Sequence, residues 1–138
     1  MNAPAPVRFR PLSTRTHRDL IVWRESMLLL TETYRLATTL PESERFGLSS
    51  QLRRAAVSIP TNIAEGFGRR APRELRRFLS IAEGSLRELQ TLLEAITMLG
   101  YLPEEQVAVP VATANRVGYL LHRFREAVRV RCAISRSS

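Results

Sequence analysis

Gln51-Leu52-Arg53-Arg54-Ala55-Ala56-Val57-Ser58-Ile59-Pro60-Thr61-Asn62-Ile63-Ala64-Glu65-Gly66-Phe67-Gly68-Arg69-Arg70 is apolar along one helical face and polar along the next. Leu52, Ala55, Ala56, Ile59, Ile63 and Phe67 recur at helical spacing, while Arg54, Ser58, Asn62, Glu65 and Arg69 form a second stripe about 100° around the axis. A segment so patterned buries one side against a neighbour and presents polar groups beside it. The expectation for the whole chain is therefore a set of amphipathic rods sharing one core.

Upstream, Leu20, Trp23, Met27, Leu30, Tyr34 and Ala37 step by three and four, and the seam continues to Leu40 before Pro41 stops it. With Asp19 at the N-cap position, this predicts a first helix over 19–40. Ile21, Leu28, Leu29 and Leu36 widen its apolar strip beyond what one partner helix covers, and the surplus is expected to meet another subunit or a third helix. The second helix is predicted over 44–67, bent by Pro60 near Ala56 and ended by Gly66 or Gly68 in the left-handed conformation. The third, over 72–99, opens on Pro72, carries Leu75, Phe78/Leu79, Ala82, Leu86, Leu89, Leu92/Leu93, Ile96 and Leu99 on one side, and closes at Gly100. Gly84 in its middle either admits a close neighbouring helix, the reading favoured, or is simply tolerated at a cost of about 1 kcal/mol against alanine. A fourth helix is predicted over 103–130, with Pro110 bending its first turns.

Connections of a few residues allow only antiparallel neighbours, so the predicted fold is all-α: an up-down-up-down antiparallel four-helix bundle over 19–131. It is flanked by an expected flexible basic arm at 1–18 and a disordered tail at 132–138. No strand-like alternation competes with the helices, and no fixed-period repeat suggests a solenoid.

The 138 residues suffice for one core without disulfides or metal, and 44% hydrophobic with 25% charged residues is the balance of a folded domain. No apolar run approaches the roughly 20 residues that cross a bilayer, and Met1 to Pro6 has no basic start leading into an apolar signal core. A cytoplasmic location and no membrane partner are expected. Cys132, without a second cysteine, reads as an incidental thiol. All 21 basic residues are arginine, and the net charge is +8. A GC-rich coding bias explains Arg in place of Lys but not the excess itself. The excess sits at the two chain ends and around Arg69–Arg77, a distribution that favours a polyanionic partner, nucleic acid before membrane.

Two groups of residues stand out. Arg54, Ser58, Asn62 and Glu65 border the core face, where Glu65 suits an ion pair with Arg69 four residues on. They form either a structural network or a subunit contact or ligand groove. Arg69, Arg70, Arg73, Arg76 and Arg77 crowd the turn into the third helix with only Glu74 among them. They are either a solvated charged end or a phosphate-binding site helped by the helix N-terminal amides. No base-reading element or aromatic stacking platform is evident, so binding would be backbone-directed and salt-sensitive. His17, His122 and Cys132 make no metal set, Glu83 and Glu88 face different directions, and neither a phosphate-cradling glycine loop nor a Ser–His–acid set appears. Neither an enzyme nor a cofactor is expected.

Asp19-Leu20-Ile21-Val22-Trp23, Leu52 through Gly66, Arg77 through Leu89, and Gly100-Tyr101-Leu102 together resemble the bacterial four-helix-bundle proteins encoded in intervening sequences of 23S rRNA genes. The likeness covers roughly Asp19 to Val128. It implies a ring-shaped homopentamer without known catalytic activity. A bundle similar in fold, the accessory protein of diversity-generating retroelements, implies nucleic acid and a nucleic-acid enzyme, a reverse transcriptase, as partners of a basic surface. Ala71 stands where the family more often has a Ser or Thr cap before Pro72, and the arm and tail lie outside the pattern.

Overall fold

The computed structural model describes residues 16–69 and 71–137. Four helices follow one another: α1 (Ile21–Ala37), α2 (Leu48–Gly68), α3 (Pro72–Met98) and α4 (Glu104–Ser137), with short 3-10 turns at His17–Asp19 and Glu42–Glu44. α1 packs on α2, α2 on α3, α3 on α4 and α4 back on α1, while the backbones of the diagonal pairs stay farther apart across the core. This is the up-down-up-down bundle the loop lengths predicted, and no strand occurs among the described residues. Leu29, Leu52, Ile59, Ile63, Leu79, Leu89, Leu93, Ile96 and Leu121 are fully buried in one cluster. At about 1.5–3 kcal/mol for each such side chain, this shared core is what holds the four rods together.

The buried face of α1 differs from the expected seam. Val22, Ser26, Leu29, Thr33, Leu36 and Leu40 point inward, whereas Met27 and Tyr34 are exposed and Leu20, Trp23 and Leu30 only half-buried. Two polar residues enter the core because each satisfies itself locally: Ser26 Oγ donates to Trp23 O at 2.7 Å and Thr33 Oγ1 to Leu29 O at 2.7 Å. Leu29 and Leu36 of the predicted surplus are thus core, while Ile21 and Leu28 stay exposed. Asp19 is not the cap, since it lies in the 3-10 turn and Leu20 takes the N-cap position without a side-chain cap bond.

Glycine acts differently from expectation in two places. Neither Gly66 nor Gly68 is left-handed; α2 ends into an extended Arg69. A Cβ on Gly66 would lie 2.7 Å from Phe78 Cβ, so its bare backbone is what lets the start of α3 lie against the end of α2. Gly84 is exposed with nothing within 4 Å of a would-be Cβ, so no helix of the protomer approaches it. α2 continues through buried Pro60: Ala56 O loses its helical donor, while Thr61 Oγ1 and Asn62 Nδ2 add bonds to Val57 O and Ser58 O at 2.8 and 2.7 Å. Gly100 does close α3 as expected, with φ 78° and the paired bonds Tyr101 N to Ile96 O and Gly100 N to Thr97 O.

α4 extends beyond the predicted end near 130 and covers most of the expected tail. Val128 and Cys132, one turn apart, are both buried, so the inward face persists past Arg131 and the thiol is part of the core cluster. Residues 1–15 of the expected arm lie outside the described residues.

Candidate nucleic-acid interface

Antiparallel topology decides where the charge collects. The start of α1, the α2–α3 turn and the end of α4 are far apart in sequence, yet all lie at one end of the bundle. Arg18, Arg24, Arg69, Arg73, Arg76, Arg77, Arg123, Arg125, Arg129 and Arg131 therefore share that end. Sequence spacing alone shows only three separate basic stretches.

Within the Arg69–Arg77 group the arginines are not equivalent. Arg69 pairs with Glu65 at 2.9 Å, the four-residue pair anticipated from sequence, and Arg77 pairs with Glu74 at 3.3 Å. Both guanidiniums also lie over the half-buried Phe78 ring, 5.6 and 4.7 Å from its centroid. Arg73 and Arg76 are exposed and have no carboxylate partner among the described residues. Arg70 lies outside the described residues. Ala71 offers no side-chain cap, so the first amides of α3 beside Arg73 stay open to an external acceptor.

The polar stripe on α2 divides in two. Ser58 Oγ and Ser85 Oγ share a hydrogen bond of 2.7 Å across the α2–α3 seam, and Asn62 Nδ2 donates to Ser58 O and Ser58 Oγ at 2.7 and 3.0 Å. These two are a structural network that fixes how α3 sits on α2. Arg54 and Glu65 are exposed outer members, and Arg54 has no carboxylate partner among the described residues.

Several polar contacts had no signal in the sequence because their partners are distant in the chain. Arg116 Nε donates to Glu25 Oε2 at 2.8 Å and ties α4 to α1. Glu83 on α3 pairs with Arg125 on α4, and Arg125 Nη2 also donates to Ser80 Oγ at 3.2 Å. Arg129 holds the Glu126 carboxyl below the usual range, first by its hydrogen bonds and then by its charge. Arg123 lies over the exposed Tyr119 ring, 5.8 Å from the centroid. Of the histidines, His17 packs edge-on against Trp23 at 4.9 Å and His122 is exposed on α4. Among the described residues no three His, Cys, Asp or Glu side chains group as metal ligands, and no helix is long and apolar enough to cross a membrane.

Residues 18–123 match the family described as 23S rRNA-intervening sequence protein. The chain belongs to that family. The Arg69–Arg77 turn and the Ser58–Ser85 bridge lie inside the matched region, whereas Arg125, Arg129 and Arg131 lie beyond it. Among solved structures, a protein of unknown function from the S23 ribosomal protein family of Bacteroides thetaiotaomicron VPI-5482 superposes with a TM-score of 0.71 at 24% identity, over 76% of this chain and 98% of that one. That similarity carries the four-helix fold and nothing further. No curated protein matches the sequence significantly.

Proposed function

We propose that this member of the intervening-sequence family is a non-enzymatic, cytoplasmic, homo-oligomeric bundle that binds RNA or DNA backbone through its arginine-rich end. The observation that carries the reading is that Arg73 and Arg76 are exposed, lack carboxylate partners among the described residues and flank the uncapped start of α3. Arg69 and Arg77 add field around them. Phosphate satisfies both guanidinium and open amide, which water does less well. Self-association, as the pentameric ring of the family resemblance, is supported by the exposed Ile21, Met27, Leu28 and Tyr34 on α1. A ring would repeat the basic end once per subunit and so multiply weak phosphate contacts.

A second reading has its own support. Arg69 and Arg77 are already paired with Glu65 and Glu74, which makes the surface less basic than its composition suggests. On that reading the chain is a scaffold whose remaining charge meets an acidic face of a protein such as a nucleic-acid enzyme. Titration of labelled RNA and DNA at about 50 and 200 mM salt separates the two. The nucleic-acid reading expects binding whose salt slope falls by about 1 for each phosphate contact removed in Arg73→Ala and Arg76→Ala. Absence of binding at the lower salt overturns it.

A further inference from the structure

The end of the bundle opposite the arginines has a different character. Here lie the two most exposed large apolar side chains among the described residues, Phe46 at 87% in the α1–α2 loop and Met98 at 85% at the last residue of α3, with Leu99 at 63% opening the α3–α4 loop. The loops are joined. Tyr101 Oη donates to Glu44 Oε1 at 3.0 Å, and Glu44 Oε2 in turn accepts Leu48 N at 2.9 Å, capping α2. Phe46 and Leu99 each lie two residues from this bond and Met98 is next to Leu99, so all three sit at this end of the bundle. Arg45 lies over the Phe46 ring at 5.2 Å with its charge met by Glu42 at 3.5 Å. Around the loops Glu94, Glu104 and Glu105 are exposed and have no cationic partner among the described residues.

The two features need different explanations. Glu104 and Glu105 suit the first turn of α4, where carboxylates complement the helix dipole, so acidity alone implies no partner. Nothing among the described residues accounts for three large apolar side chains held in water at this end, two on short, hydrogen-bonded loops and Met98 at the last residue of α3. Clustered exposure of that kind marks a contact surface, and the methionine thioether adapts to varied apolar shapes. The surrounding carboxylates then select the charge of what lands there.

We infer that this acidic-rimmed end is a docking surface for a basic amphipathic segment of a partner protein. Phe46, Met98 and Leu99 take up its apolar side chains, and Glu94, Glu104 and Glu105 meet its lysines or arginines. This places protein recognition at one end of the bundle and the basic surface at the other, and it does not depend on the nucleic-acid reading.

The test uses the full chain and a fluorescent helical peptide of leucines and lysines about 14 residues long, with a leucine–glutamate peptide of the same pattern as control. The leucine–lysine peptide is expected to bind and the control is not. Combined Phe46→Ser, Met98→Ser and Leu99→Ser weakens binding about tenfold or more, as for loss of central apolar anchors. Combined Glu94→Gln, Glu104→Gln and Glu105→Gln weakens it several-fold and flattens its salt dependence, while Arg73→Ala with Arg76→Ala leaves it unchanged. All three variants alter exposed side chains, and unchanged helicity confirms that each is folded. No binding at about 100 μM, or equal binding by the serine variant, overturns the inference. So does sedimentation showing that the serine variant loses self-association, because the occupant is then a second copy of this chain.

Discussion

Gly66 and Gly84 make opposite demands at the scale of single residues. A methyl group at Gly66 meets Phe78 Cβ at 2.7 Å and Leu75 Cδ1 at 3.2 Å, so Gly66→Ala forces α2 and α3 apart. An overpacking cost of about 1–3 kcal/mol is expected, read as a lower urea midpoint. Gly84→Ala places its methyl in open space on a helix interior and is expected to stabilise by about 1 kcal/mol in the same measurement. If the two substitutions move the midpoint alike, the close approach at Gly66 is wrong. Ser58 and Ser85 are legible as polar residues on a helix, but their shared bond is not, because nothing local aligns positions 27 apart.

Among elements, the loops and the end of α4 carry the predictions. The Tyr101 hydroxyl is pushed above its usual pKa mainly by its hydrogen bond to Glu44, with burial and the Glu44 charge adding to it. Folding therefore favours the protonated phenol. Its contribution is fully present below the unfolded value near pH 10 and is lost as pH rises through the folded value, so thermal stability falls in the alkaline range and Tyr101→Phe removes that step. Glu126 shifts the other way: its contribution is present above the unfolded carboxylate pKa and is lost as pH falls through the depressed folded value. Glu126→Gln accordingly flattens the acid limb of the stability curve. At the end of α4, buried Cys132 is expected to react with a disulfide reagent far more slowly in the native protein than in urea. Immediate native reaction would mean that the helix ends near Arg131, where sequence periodicity placed its end. That reading failed because one buried position after Val128 is too sparse a pattern to recognise.

At the scale of the molecule, charge is sorted unevenly along the bundle: ten of the described arginines share one end, and Glu94, Glu104 and Glu105, without cationic partners among the described residues, lie at the other together with Arg35 and Arg45. Light scattering is expected to give a mass several times the 15.7 kDa of one chain, and Met27→Asp on the exposed side of α1 is expected to lower it toward the monomer. The substitution should leave helicity undisturbed, because Met27 is outside the core. Helix number, order and antiparallel course, and the apolar face of α2 from Leu52 to Ile63, were determined by the sequence alone, since hydrophobic spacing and loop length are local properties that the chain carries with it. Only the tertiary structure decided which side of α1 is buried, that Arg116 and Arg125 find Glu25 and Glu83, and which basic stretches meet. Those outcomes depend on neighbours distant in the chain: the two carboxylates come within reach only through helix packing, and Ser26 and Thr33 can enter the core there because their hydroxyls bond to their own helix.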